Sequence, residues 1–295
     1  MSSSYRDLFV KASDGLRLYA RDYGPSSGGA LPVVCLSGLA RNSQDFHLLA
    51  EALSTDMQRP RRVLALDYRG RGRSDWDPDW SHYDIGTESN DVLQVLNAAG
   101  IEKAVFVGTS RGGLITMALS AMRPALLAGA VLNDVGPVIE TKGLVRIRNY
   151  VGKLPAPGSM QEATQILQQV SGAHFPAFGP DQWERMAQGT WHETDRGPVL
   201  SYDLNLMKPL ELLDLEAPVP DLWKLFEGLK SVPVLAIRGE NSDLLSEQIL
   251  SDMQKHHPDL TALTVSGQGH APMLEGPIIR AIRDLALKAE ASLQT

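Results

Sequence analysis

The chain reads as an α/β protein built on a mostly parallel sheet, and three observations predict it. Short apolar runs recur along the sequence, segments of helical periodicity lie between them, and a Gly108-Thr109-Ser110-Arg111-Gly112 pentapeptide stands where one such run gives way to a helix. Continuous apolar runs suit strands buried on both faces of a sheet, and their alternation with helices implies β-α-β units. The 295 residues fit one large α/β domain, or a core with an inserted subdomain.

Taken in order, residues 5–24 alternate around Asp14-Gly15, a hairpin signal. Leu31 to Leu36, Val63 to Leu66, Lys103 to Val107, Ala128 to Leu132, Pro233 to Ile237 and Leu260 to Val265 are the buried-strand candidates. Helical patterns cover Phe46 to Leu53, Glu88 to Ala99, Leu114 to Ala121, Ser246 to His256 and Ile278 to Leu293. The alternation breaks after Pro137. Residues 138–228 carry helical patterns at Ile139 to Leu154, Met160 to Val170 and Gln182 to Gln188, but no buried strand. The expected organisation is therefore a core of residues 1–137 and 229–295, with 138–228 inserted as a helical cap. A structureless loop of that length is unusual in a compact domain.

Composition narrows the class. Apolar residues make up 43% and charged residues 21%, ordinary for a globular protein. The net charge of −7 argues against a nucleic-acid partner. No run approaches the length of a membrane span and no apolar leader opens the chain, so a soluble, cytoplasmic setting without membrane contact is expected. The single cysteine, Cys35, sits in an apolar run and reads as a buried structural thiol. Monomer and homodimer both remain open.

The pentapeptide carries the chemistry. In a strand–turn–helix context its serine is held on a sharp turn with the hydroxyl exposed, above a helix N-terminus that favours developing negative charge. A serine hydroxyl needs a base, and the base needs a third group to fix its tautomer. His270, in Gly267-Gln268-Gly269-His270, follows the last strand and fits the base. Asp243, after the strand ending at Ile237, is the first choice of acid. Asp134, after the strand carrying Val131, is the alternative, and Glu240 a third. Oxyanion donors are expected from the main-chain N–H groups of Leu39 and Arg111.

These motifs together resemble the α/β-hydrolase fold superfamily. Leu36-Ser37-Gly38, the Asp67 to Asp75 stretch, the Ser110 elbow, Asp134 to Pro137, Arg238 to Asp243 and Gly269-His270 follow the family's order. The resemblance runs from about Tyr5 to Leu293. It implies a mostly parallel eight-stranded sheet flanked by helices, with an inserted helical cap. It also implies a serine hydrolase that needs no cofactor and no metal. Two departures stand out: Ser37-Gly38 replaces the family's usual His-Gly, and Arg111 follows the nucleophile where an apolar residue or Gln is common.

The resulting expectation is a carboxylesterase acting on a small ester-like molecule. A lactonase or a C–C bond hydrolase of ring-cleavage products would use the same residues, and a non-catalytic small-molecule receptor would share the scaffold. Arg41 and Arg111 favour a substrate bearing a carboxylate, but the first reading of Arg111 is a side chain turned away into a structural ion pair. In the cap, Phe175, Phe178, Trp183, Trp191 and Tyr202 are available either to line an apolar pocket or to pack the helices together.

Overall fold

A computed structural model describes residues 4–26, 28–217 and 219–293. Eight strands form one sheet: β1 (Tyr5–Lys11), β2 (Arg17–Tyr23), β3 (Val33–Leu36), β4 (Val63–Asp67), β5 (Ala104–Thr109), β6 (Leu127–Asn133), β9 (Val234–Gly239) and β10 (Leu260–Val265). A separate two-stranded hairpin holds β7 (Trp191–Thr194) and β8 (Gly197–Leu200). The sheet order is β1-β2-β4-β3-β5-β6-β9-β10. β1 and β2 pair antiparallel, as do β2 and β4, and every later pairing is parallel.

The apolar runs become strands because both faces of the sheet are covered. Along β5, Phe106 points into one core layer and Val105 and Val107 into the other. β3 divides likewise, with Val34 and Leu36 on one face and Val33 and Cys35 on the opposite one. The first layer is closed by α2 (Ile85–Ala98), α3 (Arg111–Met122), α8 (Trp223–Glu227) and α9 (Glu247–His256). The second is closed by α1 (His47–Ser54) and α10 (Pro277–Ser292). Cys35 is fully buried, and that burial pushes its thiol pKa far up, as befits an inert packing residue. Among the described residues no helix is long and apolar enough to cross a membrane.

Between β6 and β9 the chain forms α4 (Thr141–Tyr150), α5 (Met160–Ser171), α6 (Pro180–Thr190), the β7–β8 hairpin, the short α7 (Lys208–Glu211) and α8, whose Phe226 packs in the first core layer although it falls within the expected 138–228 insertion. The hairpin departs from the all-helical expectation. Its strands have four residues each, with His192, Glu193 and Val199 exposed, so neither a buried run nor a clean alternation marks them. Tight aromatic packing joins this segment: Phe178 and Trp183 rings lie 5.1 Å apart and Phe175 and Phe178 rings 4.6 Å.

Candidate active site

β5 ends and α3 begins at Ser110, whose backbone takes φ 51° and ψ −114°. A non-glycine residue at positive φ is strained, and it persists only where its surroundings hold it. Here the close approach of three elements does so. A Cβ on Gly112 would lie 2.0 Å from the Leu36 carbonyl oxygen, and one on Gly108 would meet the Gly112 carbonyl at 2.4 Å. The Ser110 N–H donates to the Asn133 carbonyl at 2.9 Å, which ties the turn to the end of β6.

His270 Nε2 lies 2.9 Å from Ser110 Oγ, and His270 Nδ1 lies 2.8 Å from Asp134 Oδ2. Since a carboxylate only accepts, Nδ1 carries the proton and Nε2 is left to accept from the serine hydroxyl. Asp134 is fully buried and itself sits at positive φ. Its Oδ1 accepts from the Gly239 N–H at 2.7 Å and its Oδ2 from Ser242 Oγ at 2.6 Å. The histidine loop is braced from the same place, because Asn133 Nδ2 donates to the Pro272 carbonyl at 3.0 Å.

Asp243, the first choice of acid from sequence, does not meet His270. Its two carboxylate oxygens accept from Arg146 Nε at 2.5 Å and Nη2 at 2.9 Å, so α4 is clamped onto the loop after β9. Burial raises the Asp243 pKa, but the hydrogen bonds and charge of Arg146 prevail and hold it below the ordinary carboxylate value. The acid facing the imidazole is therefore Asp134, at the end of β6. Glu240 points elsewhere, accepting from Ser266 Oγ and the Gly267 N–H at 2.7 Å each.

The loop after β3 passes beside Ser110: a Cβ on Gly38 would lie 3.8 Å from Ser110 Cβ. Ser37, which stands where the family's usual His would, donates from Oγ to the Arg41 carbonyl at 3.0 Å. Neither the Leu39 nor the Arg111 N–H donates to another group among the described residues, so both amides remain open to a ligand. The Arg111 side chain turns away from the site, to Glu88 and to the Tyr83 carbonyl. Arg41 is held by Asp45, the Met186 carbonyl and Thr190 Oγ1. Neither arginine is free, which removes their argument for an acidic substrate.

Two cavities meet at Ser110. The larger, about 440 Å³, is lined by Ser110, His270, Tyr150, Phe175 and Tyr202 among others. Of its four arginines, Arg41, Arg146 and Arg185 are each paired with a carboxylate, Asp45, Asp243 and Glu275, while Arg21 donates to the Gln44 side-chain carbonyl at 3.3 Å. The smaller, about 220 Å³, is apolar apart from Ser110 and Arg111, with walls from Leu114, Ile139, Leu144, Leu206 and Leu244. Of the aromatics singled out from sequence, Phe175 and Tyr202 face the larger cavity, while Phe178, Trp183 and Trp191 do not. Sequence reasoning missed Arg146 and Ser242. Arg146 lies in an ordinary helical pattern, and Ser242 stands only one residue from the acid that was preferred.

The comparisons agree with this architecture. Residues 32–152 match the family model described as the alpha/beta hydrolase fold. The chain is 33% identical over 289 residues to a 3-hydroxybutyrate-oligomer hydrolase of Cupriavidus necator, covering 94% of this chain and 96% of that one. It is 27% identical to an esterase of Escherichia coli over 85% of this chain and 91% of the relative. The crystal structure of an alpha/beta hydrolase from Novosphingobium aromaticivorans superposes with a TM-score of 0.89 at 39% identity, over 98% of this chain and all of the other. The chain belongs to the α/β-hydrolase fold family.

Proposed function

We propose that this hydrolase is a serine esterase with Ser110 as nucleophile, His270 as general base and acid, and Asp134 as the residue that orients the imidazole. The observation that carries the reading is the unbroken relay from Asp134 Oδ2 through both imidazole nitrogens to Ser110 Oγ, at 2.8 and 2.9 Å. Ser110 Oγ attacks the ester carbonyl as its proton passes to His270 Nε2. The Leu39 and Arg111 amides receive the oxyanion. The C–O bond then breaks, and the leaving alkoxide takes the proton from Nε2. Water, deprotonated by the same nitrogen, attacks the acyl-enzyme and releases the acid and free Ser110.

The segment between β6 and β9 acts as a cap over this centre, supplying walls to both cavities. The two cavities accept the two halves of one ester, and the apolar smaller one takes a short acyl group. The nearly full-length likeness to an oligomer hydrolase supports short oligoesters of hydroxyacids as the substrate class. The test is hydrolysis of p-nitrophenyl acetate, butyrate and octanoate, beside a short hydroxybutyrate oligoester. The expected result is turnover of the short esters and the oligoester, poor turnover of octanoate, and loss in Ser110→Ala of about 10⁶-fold in kcat. A folded wild type that turns over none of these overturns the reading in favour of a lactonase, a C–C bond hydrolase or a receptor.

A further inference from the structure

Behind the oxyanion site lies a buried charge cluster that the chemistry above does not use. Glu88, in the first turn of α2, is fully buried. One of its carboxylate oxygens accepts from Arg71 Nη1 and the other from Arg111 Nε. Arg71, also fully buried, sends its Nε to the Leu39 carbonyl at 2.8 Å. Arg111 sends its Nη2 to the Tyr83 carbonyl at 2.9 Å. A single carboxylate therefore links the two residues whose amides flank Ser110. It reaches Leu39 through Arg71 and reaches Arg111 directly.

We propose that Glu88 is a positioning residue that sets both lips of the oxyanion site through Arg71 and Arg111, an inference that rests on the esterase reading. Two physical effects follow. Main-chain donors stabilise an oxyanion only if they are already aimed when charge develops, and an anchored guanidinium on each lip removes the freedom to drift. The cluster also pairs both guanidinium groups with one buried carboxylate, so each is held away from the substrate as it anchors its lip. Arg71 Nη2 is buried with no acceptor among the described residues.

The same cluster joins the cap to the oxyanion site. The Gly72 N–H donates to the Ser201 carbonyl at 2.7 Å, and the Asp203 N–H donates to the Gly70 carbonyl at 2.8 Å, on either side of Arg71. Tyr83, whose carbonyl receives Arg111, donates its hydroxyl to Asp203 at 2.7 Å. The chain segment that closes over the substrate is thus bonded to the loop that aims Leu39.

The experiment uses Arg111→Gln, which keeps the backbone amide and the Arg71–Glu88 pair, with Arg111→Lys as the conservative variant and Glu88→Asp as a second route. Each is measured for thermal midpoint, kcat, KM and affinity for a trifluoromethyl ketone isostere of the ester, which forms the oxyanion on Ser110. Arg111→Gln is expected to lower kcat about 10- to 100-fold with KM nearly unchanged. Ketone affinity should fall by the same factor, and Arg111→Lys should recover part of both. Should Arg111→Gln fail to fold, Glu88→Asp, which keeps the charge but shortens the reach, is expected to show the same split. A folded variant with wild-type kcat and wild-type ketone affinity overturns the proposal, as does a rise in KM alone. A wild type that neither turns over esters nor binds the ketone sinks the esterase reading itself, which separates the two failures.

Discussion

Asp134 holds the imidazole because its own two oxygens are already fixed, by the Gly239 N–H and by Ser242 Oγ. Ser242→Ala removes one of these and leaves the relay to His270 in place. Loss of a hydrogen bond to a charged acceptor costs about 1.5–3 kcal/mol. The expected outcome is a lower thermal midpoint with a smaller loss of kcat than Asp134→Ala gives, checked by calorimetry and steady-state kinetics. At the elbow the constraint is steric. Gly112→Ala places a methyl 2.0 Å from the Leu36 carbonyl, where the neighbour is backbone and cannot step aside. That variant is expected to yield little folded protein, read by its soluble fraction and melting curve. The meeting of Ser110 and His270 is legible in sequence, because the elbow and the glycine-flanked histidine carry local signals. The choice between Asp134 and Asp243 is not. Both follow strands, and what separates them is a contact 97 residues apart, between Arg146 and Asp243.

At the scale of elements, α4 is latched to the loop after β9 by that Arg146–Asp243 pair. The sign of its pH dependence follows from the depressed Asp243 pKa. A carboxyl whose folded pKa lies below its unfolded value contributes stability above the unfolded value, and the contribution is lost as pH falls through the folded one. Asp243→Asn should therefore melt lower than wild type at pH 7, and the gap should close as pH drops below the ordinary value of 3.8. The pair is partly exposed, so the gap is about 1 kcal/mol, or roughly 2–4 °C. Scanning calorimetry at several pH values reads it. Within the segment between β6 and β9, Trp183→Ala empties the aromatic cluster with Phe175 and Phe178, at a cost of about 3–5 kcal/mol. The buried sheet strands were legible because burial on both faces makes them continuously apolar. The β7–β8 hairpin was not, because a short ribbon with exposed faces carries no such pattern.

Over the whole molecule, the sheet order puts the ends of β5 and β6 side by side, and the turns that leave them carry Ser110 and Asp134. The loop after β10 brings His270 across from a strand two places away in the sheet order from β6. The segment inserted between β6 and β9 lines both cavities, with Phe175 and Tyr202 at the larger and Leu144 and Leu206 at the smaller, and contributes nothing to the relay. The relay residues thus come from the core, and the walls of the larger cavity from the core and the inserted segment together. That division explains why the fold was readable from one sequence while the substrate was not: the cavity walls come from residues whose packing has no period.

In the proposed mechanism Ser110 is a nucleophile activated through His270 by Asp134, with Asp243 outside the relay. The direct measurement is the rate of labelling by a fluorophosphonate, with the labelled residue located by mass spectrometry, in wild type, Asp134→Ala and Asp243→Ala. Labelling is expected at Ser110 in wild type and in Asp243→Ala at similar rates. A loss on the order of 10³- to 10⁴-fold is expected in Asp134→Ala, the scale set by removing a triad acid. Slow labelling in Asp243→Ala with Asp134→Ala unimpaired, or no label on Ser110 in folded wild type, would contradict it.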